Sequence, residues 1–306
     1  MEFPVEHLTT FAAIIDEGSF EGAARRLHIT PSAVSQRVKA MEQRVGSVLL
    51  QRSRPIEVTE AGATVLRAAR QLERVLDDAQ RELGLGPAGG TVLPIVVNAD
   101  SLATWLVPAL ARAATETGAT FEVLRADETV SVDRLRRGDA VAALTAAKEP
   151  VPGCTSHRIG TDRYLAVATP DFIAEHFAGG LDADSLQRAP VVEFDRHDIF
   201  QQRFIRRVTR VRVTPPRHFI PSSAEFLRAI ELGMGWGMVP ALQCADALAA
   251  GRLAELGPRS TIDIPLYWQR WKLRSSVLDR LTEIMLEEAA GALGQAAGDS
   301  RSGASA

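Results

Sequence analysis

Ser19-Phe20-Glu21-Gly22-Ala23-Ala24-Arg25-Arg26-Leu27-His28-Ile29-Thr30-Pro31-Ser32-Ala33-Val34-Ser35-Gln36-Arg37-Val38 reads as two short helices joined by a tight turn. Ala23 and Ala24 keep the first helix thin, so a second can cross it closely, and Leu27 supplies an apolar anchor. His28-Ile29-Thr30 is the turn. Thr30 is suited to cap the next helix, and Pro31 to its first position, where a missing N–H leaves no bond unmade. Val34, Val38, Met41 and Val45 recur at spacings of four, three and four, which predicts one buried face. The opposite face carries Ser32, Ser35, Gln36 and Lys39, all able to hydrogen-bond base edges or phosphates. A helix-turn-helix with a polar second helix is the pattern of a reader of double-stranded DNA.

The local charge agrees. From Gly18 to Arg54 there are seven basic residues (Arg25, Arg26, Arg37, Lys39, Arg44, Arg52, Arg54) and two acidic ones (Glu21, Glu42), a local net of +5. The whole chain carries −3, so the basic patch is confined, as a phosphate footprint should be.

Downstream, Thr59 to Leu83 holds no proline and repeats its apolar residues by sevens. Val65, Leu72 and Ala79 form one row and Ala69, Leu76 and Leu83 the other, a heptad seam flanked by charges. Such a helix is about 37 Å long, enough to separate two DNA-reading heads in a homodimer. Gly84-Leu85-Gly86-Pro87-Ala88-Gly89-Gly90 then breaks the helix and predicts a hinge. From Gly294 to Ala306 the chain is small and polar, the composition of a disordered tail.

At 306 residues there is room for two or three domains. Without a basic-then-apolar leader or a run of membrane-spanning length, the expected setting is cytoplasmic, with no membrane partner. Cys154 and Cys244 lie far apart without metal-ligand spacing and read as reduced, structural residues, with a redox pair as the alternative. No paired nucleophile and base, metal cluster or phosphate loop stands out, so neither a cofactor nor catalysis is expected. Gly233-Met234-Gly235-Trp236-Gly237 leads into a strand, the wrong order for a dinucleotide fingerprint.

Between hinge and tail, short apolar runs alternate with helical patterns. Val92 to Val97, Phe121 to Leu124, Ala140 to Leu144, Tyr164 to Ala168, Val191 to Phe194, His218 to Ile220 and Gly237 to Val239 read as strands. Leu102 to Thr117, kinked or broken at Pro108, and Val130 to Arg137 read as helices. This alternation predicts α/β architecture with mostly parallel sheets and a ligand site beyond the strand ends.

Residues 5–62 resemble the winged helix-turn-helix of LysR-type transcriptional regulators. The resemblance rests on Gly18-Ser19-Phe20, Ala23-Ala24-x-x-Leu27, Pro31-Ser32-Ala33-Val34-Ser35-Gln36, Leu49-Leu50-x-Arg52 and Thr59-Glu60-Ala61-Gly62. Leu50 stands where the family usually has Phe, a packing substitution. The resemblance implies a wing carrying Arg52 and Arg54 against phosphates or the minor groove. It completes a DNA-binding set of Thr30, Ser32, Ala33, Ser35, Gln36, Arg37, Lys39, Arg52 and Arg54. Gln36 is the best candidate for base readout, since its amide can bond adenine in two places.

Residues 92–293 in turn resemble the family's effector domain, two α/β lobes like those of periplasmic binding proteins. The family pattern implies domains at 1–58 (all-α winged helix-turn-helix), 59–83 (linker helix), 84–91 (hinge), 92–293 (effector) and 294–306 (tail). Lobe I would take 92–162 and 264–293, and lobe II 163–263. The crossings would lie near Thr161 to Tyr164 and Ile264 to Leu266, with Leu266-Tyr267-Trp268 as a lobe I strand.

Asn98-Ala99-Asp100-Ser101-Leu102-Ala103-Thr104-Trp105, Leu135-Arg136-Arg137-Gly138-Asp139, Pro152-Gly153-Cys154, Ser222-Ser223-Ala224-Glu225-Phe226 and Leu266-Tyr267-Trp268 narrow the resemblance to the LysG/ArgP-like branch. That branch senses basic amino acids and activates a lysine or arginine exporter gene. The implied partners are a promoter operator, lysine or arginine as effector, further copies of the chain (homodimer and tetramer) and RNA polymerase.

The residues suit that ligand. Ser101 in one lobe and Ser222 or Ser223 in the other sit at strand-to-helix junctions, where backbone N–H groups receive a carboxylate. Asp100 at the cleft edge, with Glu225, could hold a cation, and Trp105 could offer it a π face; Thr104 completes the set. Each has a structural alternative: Asp100 or Ser101 as helix caps, Trp105 as core, Glu225 as a first-turn dipole partner. Glu128 and Glu149 are further options in loops after strands. The rival function is an effector-independent DNA-organising or replication-inhibiting protein.

Overall fold

The structure is a computed structural model and describes residues 3–51, 53, 55–85, 92–126, 128–257 and 260–295. The head opens with α1 (Val5–Glu17), α2 (Phe20–Leu27) and α3 (Pro31–Val45). The Ser19 hydroxyl accepts the Gly22 N–H at 3.0 Å and that of Thr30 accepts the Ala33 N–H at 3.2 Å, so both hydroxyls cap helices. Phe11, Ile14, Ala23, Ala24, Val34, Val38 and Met41 close the core between the three helices. The buried face of α3 is thus the one its spacing predicts.

A two-stranded antiparallel wing follows, β1 (Leu50–Gln51) with β2 (Glu57–Val58). Leu50 is buried, in keeping with a packing role. Arg52 and Arg54 lie outside the described residues. Gly62 is required by a close approach: a Cβ there would stand 2.0 Å from the Leu49 carbonyl oxygen.

The linker helix α4 (Glu60–Glu82) is 23 residues long. Its seam divides in two, which the heptad pattern does not foretell. Val65, Leu66 and Ala69 are buried against the chain's own head. Val75, Leu76 and Leu83 are exposed, at 46%, 46% and 73%. The first half is therefore an amphipathic helix packed on its own domain; only the second half leaves its apolar row uncovered within one chain. Arg70 links three parts, donating to Asp16 of α1 at 3.1 Å and to Asp139 of the effector half at 2.5 Å. Residues 86–91 of the expected hinge lie outside the described residues.

Lobe I contains β3 (Val92–Val97), α5 (Ala99–Ser101), a π-helical turn (Leu102–Leu106), α6 (Val107–Thr117), β4 (Thr120–Arg125), α7 (Glu128–Arg137) and β5 (Ala142–Thr145). Pro108 falls in the first turn of α6, where its missing N–H is tolerated, and the wide turn comes just before it. β6 (Cys154–Ala168) then crosses to lobe II. Lobe II adds α8 (Pro170–His176), α9 (Ala183–Arg188), β7 (Val191–Glu193), α10 (Phe200–Thr209), β8 (Arg217–Phe219), α11 (Ser223–Glu231), β9 (Gly237–Pro240), α12 (Ala241–Ala249) and β10 (Ala254–Glu255). β11 (Thr261–Trp271) returns to lobe I and α13 (Ser276–Gln295) ends the described chain. Beyond Gln295 the expected tail lies outside the described residues.

β3 pairs in parallel with β4 and β5, and β7 with β8. The connecting strands differ from the mostly parallel expectation: β6 and β11 pair antiparallel with each other, β6 also with β9 and β10, and β11 with β5. A strand that leaves a lobe and one that returns to it run in opposite directions, so two crossings side by side are antiparallel. Ile264 pairs with Asp162 and Pro265 with Thr161, side by side in the two connecting strands. Cys154 and Cys244 are buried free thiols, and burial pushes them up to about 11 and about 12. Among the described residues no helix is long and apolar enough to cross a membrane.

Candidate effector cleft and DNA-reading helix

The first strand of lobe I hands over to a helix at Asn98, whose side-chain oxygen accepts the Ser101 N–H at 3.2 Å. Asn98 is therefore the cap, and Asp100 is free to turn to the cleft. Its carboxylate meets the other half of the domain on both oxygens. The Ser223 hydroxyl, from the first turn of α11, donates to Asp100 Oδ1 at 2.7 Å. The Tyr164 hydroxyl, from β6, donates to Asp100 Oδ2 at 2.7 Å. Gln243 of α12 secures the second lobe's side of this junction, its amide donating to the Ser223 carbonyl at 2.8 Å.

Beside this junction lies a cavity of about 490 Å³, in the range of small-ligand sites. Asp100, Tyr164, Phe194, Asp195, His197, Asp198, Phe200, Arg203, Phe226 and Gln243 are among its walls. Tyr164 and Phe200 stack with ring centroids 4.5 Å apart, and the Arg203 guanidinium lies 6.0 Å from the Phe200 ring centre. Two of the wall carboxylates are engaged with backbone. Asp195 accepts the His197 and Asp198 N–H groups at 2.7 and 3.1 Å. Asp198 accepts those of Phe194 and Phe200 at 2.9 and 3.0 Å. Burial raises Asp198 above the usual carboxylate range despite these bonds. Asp100, held by two side-chain hydroxyls, is the acid best placed to meet a cation, since each of its oxygens keeps a further lone pair.

Asp162 stands close by, 3% exposed on the same face of β6 as Tyr164. Burial first, and the charge of Asp100 second, push its carboxyl up to about 7.

Of the sequence-derived effector residues, Asp100 and Ser223 are joined directly. Ser101 is fully buried and its hydroxyl has no partner among the described residues. Thr104 donates to the Asp100 carbonyl at 2.8 Å, fixing that turn. Trp105 is packed in the lobe I core and is not among the cavity walls. Ser222 donates to Glu225, which is exposed; this bond holds Glu225 below the usual range and directs it to its own helix turn. Glu149 is exposed, and the Glu128 side chain lies outside what is described. Tyr164, Asp162, Asp198 and Gln243 were not singled out by the sequence. An acid and a tyrosine flanking Arg163 at the crossing were the available signal.

On the head, Thr30, Ser32, Ser35, Gln36 and Lys39 are exposed along α3, with Ala33 half-buried. Arg37 departs from the set: it turns back to α1, donating to Thr10 Oγ1 at 2.9 Å and to the Glu6 carbonyl at 3.4 Å. Its position, one residue before Val38 and three after Val34, lies at the edge of the buried face.

A helix-turn-helix with a wing, a linker helix and a two-lobed α/β domain around a small aromatic-walled cavity define a one-chain, DNA-binding, ligand-responsive regulator. Residues 5–63 match the bacterial regulatory helix-turn-helix protein of the lysR family, and residues 90–290 the LysR substrate binding domain. The chain belongs to the LysR family of transcriptional regulators. It is 41% identical over 288 residues to the lysine export transcriptional regulatory protein LysG of Corynebacterium glutamicum, covering 92% of this chain and 96% of that one. The crystal structure of ArgP from Mycobacterium tuberculosis superposes with a TM-score of 0.86 at 39% identity, over 93% of this chain and 97% of that one. Full-length LysG from Corynebacterium glutamicum with bound effector Arg gives 0.84 at 39% identity, over 95% and 99%.

Proposed function

We propose that this chain senses a basic amino acid, lysine or arginine, in the cleft beside Asp100 and in response activates the gene of an amino acid exporter. The observation that carries the reading is the Asp100 carboxylate, held at the lobe junction by Tyr164 and Ser223 beside an aromatic-walled cavity. The side-chain cation pairs with Asp100, its aliphatic stem lies against Phe200 and Phe226, and the α-carboxylate reaches Arg203. The arginine bound by the similar LysG structure supports this ligand class. The serine residues and Gln36 on α3, with Lys39 and the wing arginines Arg52 and Arg54, read the operator.

Two copies join through the exposed half of α4, where Val75, Leu76 and Leu83 would be covered, and pairs of dimers form the tetramer usual in the family. Ligand acts by favouring one arrangement of lobes and heads over another, which requires different affinities for the two. RNA polymerase is the downstream partner. The setting is the cytoplasm, with no cofactor and no catalysis.

Calorimetric titration of the full chain with lysine, arginine, histidine and the neutral analogue citrulline tests this. Saturable binding of lysine or arginine, absent for citrulline and lost in Asp100→Ala, is the expected result. Equal binding of citrulline, or none of any basic amino acid, would overturn it.

A further inference from the structure

The linker helix does not stand clear of the effector half. Arg67, Arg70 and Arg74 of α4, spaced three and four apart, share one face and all reach lobe I. Arg67 donates to the Arg136 carbonyl at 3.3 Å, Arg70 to the Asp139 carboxylate at 2.5 Å and Arg74 to the Val92 carbonyl at 2.9 Å. Gly138, in the turn from α7 to β5, makes room for the helix. Its φ is +81°, and a Cβ there would stand 3.2 Å from the Arg67 Cα and 3.3 Å from the Arg70 Cδ. Leu135-Arg136-Arg137-Gly138-Asp139 is thus the seat on which the linker rests.

Two observations make this seat more than a packing contact. Arg70 carries it into the head, donating with its other terminal nitrogen to Asp16 of α1 at 3.1 Å. Asp16 in turn accepts Arg26 of α2 at 2.8 Å, so side chains link lobe I to the helix before the DNA-reading one. On the effector side, β3 joins the seat to the cleft. Val92, which accepts Arg74, opens that strand; Val97 closes it, and Asn98 and Asp100 follow at the lobe junction. Six residues make a strut roughly 17 Å long, held on both sides by β4 and β5. The joint itself is polar. The apolar cores of head and lobe I are separate clusters, and a cavity of about 430 Å³ opens beside Arg70, Arg74 and Asp139. It can give way without unpacking either core.

We infer that Arg70 is the positioning residue that carries effector binding to the DNA-reading head, through its paired contacts with Asp139 of lobe I and Asp16 of α1. This rests on the basic amino acid reading above and gives that site its output. A ligand that pairs with Asp100 acts on one end of β3, and α4 bears on the other. When lobe I shifts, it either turns α4 and the head with it or breaks the bond from Arg70 to Asp139. In the proposed dimer the far half of α4 is held by the partner copy. A turn of α4 then alters the spacing of the two heads, while a broken bond frees each head from its own lobe. Both are discrete rearrangements of a small polar contact, the kind that a ligand with unequal affinity for two arrangements can drive.

The test is energy transfer between the labelled ends of an operator fragment bound by the full-length protein, read before and after saturation with L-arginine. The wild-type response should fall about fivefold or more in Asp139→Ala and in Arg70→Met. Arginine affinity without DNA, and operator affinity without arginine, should each stay within about fivefold of wild type, as for loss of a partly exposed ion pair. Asp139→Glu, whose carboxylate can still receive Arg70, should keep the response. A merely structural role would move the two affinities and leave the response in proportion. Should Arg70→Met not fold, Asp139→Ala decides, since that side chain is 30% exposed. A full response in Asp139→Ala would overturn the assignment, as would wild-type protein that binds arginine with no change in its DNA. Wild-type protein that binds no arginine at all fails the parent reading, an outcome distinct from binding without response.

Discussion

The Ser223 hydroxyl donates to the Asp100 carboxylate at 2.7 Å although the two are 123 residues apart in sequence. Each stands in the first turn of a helix, one in each lobe, so this bond is a latch across the cleft. Hydrogen bonds to charged groups contribute about 1.5–3 kcal/mol. Ser223→Ala should therefore weaken arginine binding on the order of tenfold or more, read as Kd by calorimetry. An unchanged Kd would mean that the latch plays no part in ligand capture.

Asp162 links stability to pH. Its carboxyl is raised from 3.8 to about 7, so the folded protein holds a proton that the unfolded chain loses. The stabilisation this gives is fully present below about pH 4 and is lost as pH rises through about 7. Asp162→Asn removes the dependence. Relative to wild type, the variant should gain stability from pH 5 to pH 8, by at most about 3 kcal/mol. Denaturant midpoints at the two pH values measure this, and a difference that stays constant with pH would contradict it.

Gly62 has no room for a side chain beneath the Leu49 carbonyl. Gly62→Ala should destabilise the head by about 2 kcal/mol or more, since backbone must move to relieve the contact. Thermal unfolding would show a weakened head transition together with lost DNA affinity. The proposed arginine binding, assigned to the other half of the chain, should survive.

Gln36 and Lys39 both face outward on α3 but should fail differently. Gln36→Ala is expected to cost about 1–3 kcal/mol on the operator and little on random DNA. Lys39→Ala should weaken binding to both alike and reduce the salt slope by about one. Binding curves at several salt concentrations separate the two roles.

The exposed row of α4 makes a prediction about assembly. Leu76, 46% exposed in one chain, should be covered in a dimer, and Leu76→Glu should shift sedimentation toward monomer while leaving the head folded. A variant that sediments as wild type would place the dimer contact elsewhere.

Much of this was legible in the sequence for reasons that can be named. The head is built from local signals: the caps at Ser19 and Thr30, the spacing of Val34, Val38 and Met41, and the crossing at Ala23 and Ala24 all act within a few residues. The lobe crossings near Thr161 and Ile264 were placed by resemblance; in the sheet Pro265 pairs with Thr161 and Ile264 with Asp162. Asp100 and Ser223, which meet in the structure, were singled out because strand-to-helix junctions are recognisable. Asp162 was not, because its neighbour in the sheet, Ile264, lies on a strand about a hundred residues away. Trp105 could not be resolved from sequence, since helical spacing serves a core side chain and a ligand wall alike. Arg37 shows a similar limit: its polarity suggests DNA, but its angle on α3 delivers it to Thr10. The linker seam was visible as a pattern, yet nothing local indicated that its first half would be covered by the chain's own head.

The proposed function requires that cleft occupancy change how the heads hold DNA. It is tested most directly by measuring the bend of a bound operator fragment, by fluorescence energy transfer between its ends, as lysine or arginine is titrated into the full-length protein. A saturable change in bend is expected with either amino acid, absent with citrulline and absent in Asp100→Ala. Tight DNA binding with a bend that neither amino acid alters would contradict it and leave an effector-independent DNA-organising protein on the same fold.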